Sequence, residues 1–200
     1  MTADGKGSVG GSDPILDRIR AWGKRNGINQ LVANPGISTA AVSVILRPAK
    51  GGTLDILLLR RQEVERDPWS GQISFPGGRS KPAESLLQTA KRESMEEVGI
   101  DLGRFEIVGV MPAIYPGNRA ILVTPFVFIA PEDTEVKIDR DEIVDFFWVQ
   151  LNFFSDEKNS SVYSFSRRGV TFETPSFVVM GKYVVWGMTL RIIKNLLGEI

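Results

Sequence analysis

Three glutamates, Glu93, Glu96 and Glu97, stand close together beside Arg92, and Pro76-Gly77-Gly78 precedes them. If the segment is helical, the three carboxylates fall within an arc of about 100° and point the same way. Like charges at that spacing destabilise a helix, and more so near its C-terminus, where the dipole favours cations. A divalent cation held among the acids offsets that cost. The ordinary alternative is a solvated glutamate-rich face. On the helical reading, the acids face solvent or metal rather than core.

The chain has no histidine and no cysteine. Any metal site must then be built from oxygen ligands, which suits Mg²⁺ or Mn²⁺ and argues against zinc. Thiolate catalysis and disulfides are excluded, and a general base is expected to be a carboxylate. Glu93 and Glu96 qualify, as does an acid of "DRDEIVDF", where Glu142 is the preferred candidate.

Positioning these groups needs a helix and a sheet to carry it. Residues from about Ala83 to Val98 read as a helix closed by Gly99, with Leu86, Ala90, Ser94 and Val98 on the side that packs. "AAVSVILRP" and "LDILLLRR" read as strands joined by the turn "AKGGT". "VERDPWSGQISFPGG" reads as a long punctuated loop. "FEIVGVM", "ILVTPFVFIA" and "DFFWVQL" follow as strands, and "SVYSFSRRGVTFET" as a short hairpin turning near Arg168-Gly169. An N-terminal helix starts at Ser12 or Asp13 with Pro14 in its first turn. At the other end Val185, Met188, Ile192 and Leu196 share a helical spacing. The order predicts an α/β fold, an α/β/α sandwich on a mixed sheet.

The helix belongs to a longer pattern: Gly78, five residues, Glu84, seven residues, Arg92-Glu93, two residues, Glu96-Glu97, one residue, Gly99 and Ile100. This resembles the Nudix box, the signature of hydrolases that cleave nucleoside diphosphates linked to another moiety. One position departs, because Ser94 stands where the family has an aliphatic residue. The resemblance implies that Glu93, Glu96 and Glu97 ligate Mg²⁺ or Mn²⁺, with the Gly78 carbonyl as a further candidate. It implies that Arg92 orients the acids, that Glu84 ties loop to helix, and that Arg92, Glu93, Glu96 and Glu142 form the catalytic set. Gly77 and Gly78 would admit phosphates close to the backbone.

"LLLRRQEVERDPWSGQISFPGG" further resembles the upstream motif of coenzyme A pyrophosphatases, with Arg61, Arg66, Gly71 and Phe75-Pro76-Gly77-Gly78 in its slots. Leu59 and Gln62 depart from that motif, and one extra residue separates Arg66 from Gly71. "YVVWGMTLRII" is similar to that subfamily's closing helix. The resemblance implies a substrate site at Arg61, Arg66, Phe75, Gly77 and Gly78, with Trp69 as a further aromatic. Guanidinium forks there suit a 3′-phosphate. Rival substrates are ADP-ribose, dinucleoside polyphosphates and nucleoside triphosphates. Tyr115 lies roughly where the dinucleoside polyphosphate subfamily carries a tyrosine, but it reads better as a turn residue before Pro116-Gly117. A nucleotide-binding module without turnover is the rival from another class, and the complete set of acids argues against it.

Hydrophobic residues make up 42% of 200, enough for a full core, and basic and acidic residues balance at 24 each. That balance gives no sign of nucleic acid or an anionic membrane as partner. A nucleotide-like small molecule is the expected partner, and a homodimer is compatible with the sequence. "MTADGKGSVGGSDP" lacks the apolar run of a signal peptide, and no run reaches membrane-span length. The expectation is a cytoplasmic protein with a flexible tail over residues 1–13 and one domain over 14–200.

Overall fold

The computed structural model describes residues 14–26, 39–65, 70–116, 121–167 and 169–199. The expected tail over 1–13, the cap at Ser12 or Asp13, and Arg66, Trp69 and Gly117 lie outside these residues. Among the described residues, no helix is long and apolar enough to cross a membrane.

Two apolar runs become the centre of a seven-stranded sheet. β1 (Thr39–Ala49) and β2 (Thr53–Arg61) pair antiparallel around a turn in which Gly51 and Gly52 take φ of +81° and +69°. Neither run alternates apolar with polar residues, because both faces of the sheet are covered. Ala40, Val42, Val44 and Leu46 point into one core, with Leu16, Ile19 and Trp22 of α1 (Pro14–Asn26). The intervening Ala41 and Ile45 point into a second, with Leu86, Ala90 and Val98 of α2 (Leu86–Val98).

The sheet forks. β1 and β2 pair only from Leu46 and Ile56 to their shared turn; beyond that their other ends take different partners. The start of β1 pairs with β4 (Gly77–Arg79), and the end of β2 pairs with β3 (Ile73–Ser74). The long punctuated loop therefore contains two short strands that fill the fork. Their pairing is set by the divergence of β1 and β2, which no local pattern carries. β5 (Glu106–Val110) pairs antiparallel with β6 (Leu122–Ile129), β6 runs parallel to β1, and β7 (Ile143–Gln150) runs antiparallel to β2. The mixed sheet between helices is the expected α/β class.

A second sheet of three strands follows. β8 (Ser160–Arg167) and β9 (Val170–Val179) form a longer hairpin than the sequence suggested, turning at Gly169 with φ +77°. β10 (Tyr183–Trp186) pairs with β9, and α3 (Gly187–Glu199) starts only after it. Val185 is thus a strand residue, not the first of the helical series. It is β-branched, and it enters the same core as Ile192 and Leu196 from a strand. The predicted helix start at Ala83 is also corrected. Ala83 has φ +65°, which no right-handed helix accommodates, and Ser85 caps α2 in a reciprocal capping box with Gln88.

Candidate active site

α2 is fixed at both ends. The Ser85 hydroxyl accepts from the Gln88 amide, and the Gln88 side chain accepts from the Ser85 amide. At the C-terminus Gly99, with φ +66°, donates its amide to Met95. One face buries Leu86, Ala90, Ser94 and Val98 as expected. Ser94 meets a polar partner there: its hydroxyl donates to Ser43 Oγ of β1 at 3.0 Å, and Ser43 donates to the Ala90 carbonyl at 3.1 Å. Both serines are fully buried, so the hydroxyl that departs from the family pattern is satisfied by a second one.

Arg92 organises the other face. Its guanidinium donates to Glu84 at 2.7 and 3.0 Å, to Glu93 at 2.7 Å, to Glu96 at 2.8 Å and to the Arg79 carbonyl at 3.1 Å. Its protonated form is strengthened chiefly by the hydrogen bonds to Glu84. The Arg92 bonds hold the Glu84 carboxyl down at about 2, and Glu84 also accepts from the Lys81 amide and the Thr89 hydroxyl. Glu84 thus ties the loop to the helix.

The three acids are not equivalent. Glu96 is half exposed, held by Arg92 and 3.6 Å from Lys81 Nζ. Glu93 is mostly covered; burial pushes its carboxyl above the usual range, and Arg92 opposes that. Glu97 is 1% exposed, so of the surroundings expected for it, solvent or metal, open solvent does not hold. On α2 it points inward, toward the fork of the sheet. There Oε2 accepts from the Gly77 amide at 2.8 Å and Oε1 from Arg61 Nη1 at 3.2 Å. Burial pushes its carboxyl up to about 7, against the Gly77 and Arg61 contacts.

The glycine pair is required by packing. A Cβ on Gly77 would sit 2.4 Å from the Ala41 carbonyl, and one on Gly78 would sit 2.5 Å from the Glu93 carboxylate. Glu93 and Glu97 therefore rest directly against the Gly77-Gly78 backbone.

These groups line one cavity of ≈ 1030 Å³. Arg61, Gly77, Gly78, Glu93, Glu97 and Glu142 lie on its polar side. Glu142 is exposed at the rim, with its backbone carbonyl accepting from Gln62. Phe75 also touches the cavity but is 3% exposed and belongs to the main core. Glu96 does not line it. Tyr115, 41% exposed, does not line it either, and its carbonyl accepts from Arg191.

Sequence reasoning missed the opposite wall, where Phe165, Phe172, Trp186, Met188 and Arg191 come from the second sheet and α3. The alternation of Tyr163 and Phe165 along β8 and the segment "YVVWGMTLRII" were its visible signals.

Among the described residues, no three acids converge into a ready-made metal cage, because Arg92 draws Glu96 and Glu93 toward itself. The donor chemistry nonetheless fits a hard divalent cation. All the candidate ligands are oxygens, from the three carboxylates and the Gly78 carbonyl, and burial disfavours the ionised forms of Glu93 and Glu97.

A family model described as NUDIX domain matches residues 38–168. The chain is 29% identical over 189 residues, 94% of either chain, to proteins named "Uncharacterized Nudix hydrolase NudL" from Escherichia coli O1:K1 and Shigella boydii serotype 18. It also resembles the crystal structure of a MutT/nudix family protein from Enterococcus faecalis. That likeness has a TM-score of 0.53 at 17% identity, covers 92% of this chain and 73% of that one, and concerns the fold alone. With residues 38–168, most of the chain, matched to the domain and the arginine–glutamate network formed on α2, the chain belongs to the Nudix family of hydrolases.

Proposed function

We propose that this Nudix hydrolase splits coenzyme A or an acyl derivative at its pyrophosphate, giving adenosine 3′,5′-bisphosphate and a 4′-phosphopantetheine. The observation that carries the reading is the composition of the cavity. It combines carboxylates and glycine backbone with the rings of Phe165, Phe172 and Trp186, beside Glu173 and Arg191, in a volume at the upper end for ligand pockets. A pyrophosphate with a long, weakly polar arm matches that combination. The Leu57–Gly78 segment supports the same choice. Tyr115, outside the cavity lining, gives no support to dinucleoside polyphosphates.

Residues 14–200 act together in this reading, since Phe172 and Trp186 of the aromatic wall lie beyond the matched region. Glu93, Glu96 and Glu97 would hold Mg²⁺ or Mn²⁺, which when bound polarises a phosphoryl oxygen and makes water easier to deprotonate. Arg92 keeps Glu93 and Glu96 turned toward one another. The Gly77 amide and Arg61 fix the two oxygens of Glu97. Gly77 and Gly78 leave room for phosphate oxygens at the backbone, and Phe75 stiffens the strand pair from beneath. Glu142 at the rim accepts the proton of the attacking water, and Arg61 with Arg66 balances the substrate's phosphate charge. In-line positioning and charge stabilisation supply most of such a rate enhancement.

The test is a panel of coenzyme A, dephospho-coenzyme A, ADP-ribose, diadenosine polyphosphates and nucleoside triphosphates with Mg²⁺ and Mn²⁺, with products identified. Coenzyme A should lead. Dephospho-coenzyme A should be poorer by about ten- to a hundredfold in kcat/KM, and Arg66→Ala should erase that gap. A lead of more than about tenfold for ADP-ribose or a dinucleoside polyphosphate would overturn the substrate assignment and leave the reaction class standing.

A further inference from the structure

The family match ends at residue 168, yet the cavity continues past it. Its far wall is a cluster of rings on one face of the second sheet. Phe165 packs 5.6 Å from Phe172 with planes 22° apart and 5.0 Å from Trp186, and Tyr163 lies 4.8 Å from Trp186. Trp186 reaches across β9 at the paired Ser176, a small residue that leaves room for the indole. Phe172 remains 45% exposed.

The cluster is shaped for one kind of ligand. These rings already turn much of their faces to one another and form one continuous cluster. What they offer the cavity is the three rings of Phe165, Phe172 and Trp186, edged by Ser166, Glu173, Thr174 and Arg191. A flexible hydrocarbon chain can follow such a surface. Because the cluster and the carboxylates line the same cavity, a chain resting there would belong to the molecule whose diphosphate lies at Glu93 and Glu97.

We propose that Phe165, Phe172 and Trp186 form a subsite for an elongated apolar substituent of the substrate, and that this subsite sets chain-length preference. The proposal rests on the hydrolase reading of the carboxylate side, not on coenzyme A as the parent molecule.

The experiment is calorimetric binding, with Mg²⁺ present, of methyl and n-octyl methylenediphosphonates, whose P–C–P bridge is not hydrolysed. The octyl compound should bind wild type about tenfold or more tighter than the methyl compound, since each buried methylene adds affinity. Phe172→Ser should bring the ratio to within about threefold. Val162→Ser, on the opposite face of β8 and 62% exposed, should keep the wild-type ratio. Equal binding of the two compounds to wild type overturns the subsite, as does a Phe172→Ser ratio that matches wild type or a Val162→Ser ratio that collapses too. Failure of coenzyme A in the substrate panel leaves this outcome unaffected, so the two readings fail separately.

Discussion

Arg61, at the end of β2, and Glu97, on the buried face of α2, meet at 3.2 Å where the central sheet forks. The contact gives a buried carboxylate one charged partner, and the Gly77 amide gives it a second donor. Even so, burial dominates and holds the Glu97 carboxyl up at about 7.

Loss of Glu97 should therefore separate activity from stability. Glu97→Gln removes a proposed ligand and its charge, and turnover should fall by several orders of magnitude. In metal-free protein the sign for stability is opposite. The unfolded carboxyl ionises near 4.5 and the folded one near 7, so this group lowers stability as pH rises through that window. Thermal melts in chelator should show Glu97→Gln gaining on wild type between about pH 4.5 and 8. More than about a tenth of wild-type activity at saturating Mg²⁺ would remove Glu97 from the metal site.

Glu84 should behave the other way. Its folded carboxyl lies at about 2 because Arg92 donates to it twice, against 4.5 as the unperturbed value. The stability it supplies is fully present above about pH 4.5 and is lost as pH falls through 2. Glu84→Gln should cost on the order of 2–3 kcal/mol at neutral pH in urea unfolding, with the difference closing toward pH 2.

Glu142 tests the proton acceptor. Glu142→Gln should lower kcat by about 10²- to 10⁴-fold while the Mg²⁺ dependence of the rate is little changed. A variant with wild-type turnover would move the base to Glu93 or Glu96.

The Ser43–Ser94 pair predicts non-additive stability. Ser94→Ala leaves Ser43 bonded to the Ala90 carbonyl and should cost about 1 kcal/mol. Ser43→Ala removes the acceptor of the buried Ser94 hydroxyl and should cost more, about 1–3 kcal/mol. The double variant should cost less than the two singles together, with a coupling on the order of 1 kcal/mol in a double-mutant cycle. Strict additivity would mean that the hydroxyls do not act as a pair.

The parts legible in the sequence were those encoded by local rules. β1, β2 and the packing face of α2 follow from apolar runs and periodicity, and the Gly99 cap from its residue type. Arg92, Glu93 and Glu96 stand near one another simply because a helix puts them there. What the sequence could not show depends on distant partners. Ser94 reads as a defect until Ser43, on another strand, is placed against it. Glu97 reads as a metal ligand equivalent to Glu93 and Glu96 until the fork brings Arg61 and Gly77 to it. β3 and β4 are too short to signal themselves, and Val185 fits a helical spacing by coincidence of its distance from Met188. The aromatic wall needed β9 and β10 to be paired before Phe172 and Trp186 could be seen beside Phe165.

The parallel pairing of β1 with β6 also constrains the order in which the protein can fold. Thr39 sits opposite Leu122 and Leu46 opposite Ile129, so a central strand from the first quarter of the chain waits for one well past the midpoint. The box helix lies on the connection between them. Closing so large a loop before the pairing is rewarded slows folding and leaves the apolar edge of β1 uncovered meanwhile. A nascent chain that has already made all its box acids still lacks β6, the parallel neighbour of β1 in the sheet beneath them. Catalytic competence should accordingly arrive late, no earlier than β6, and the interval before that pairing is when the chain is most open to aggregation.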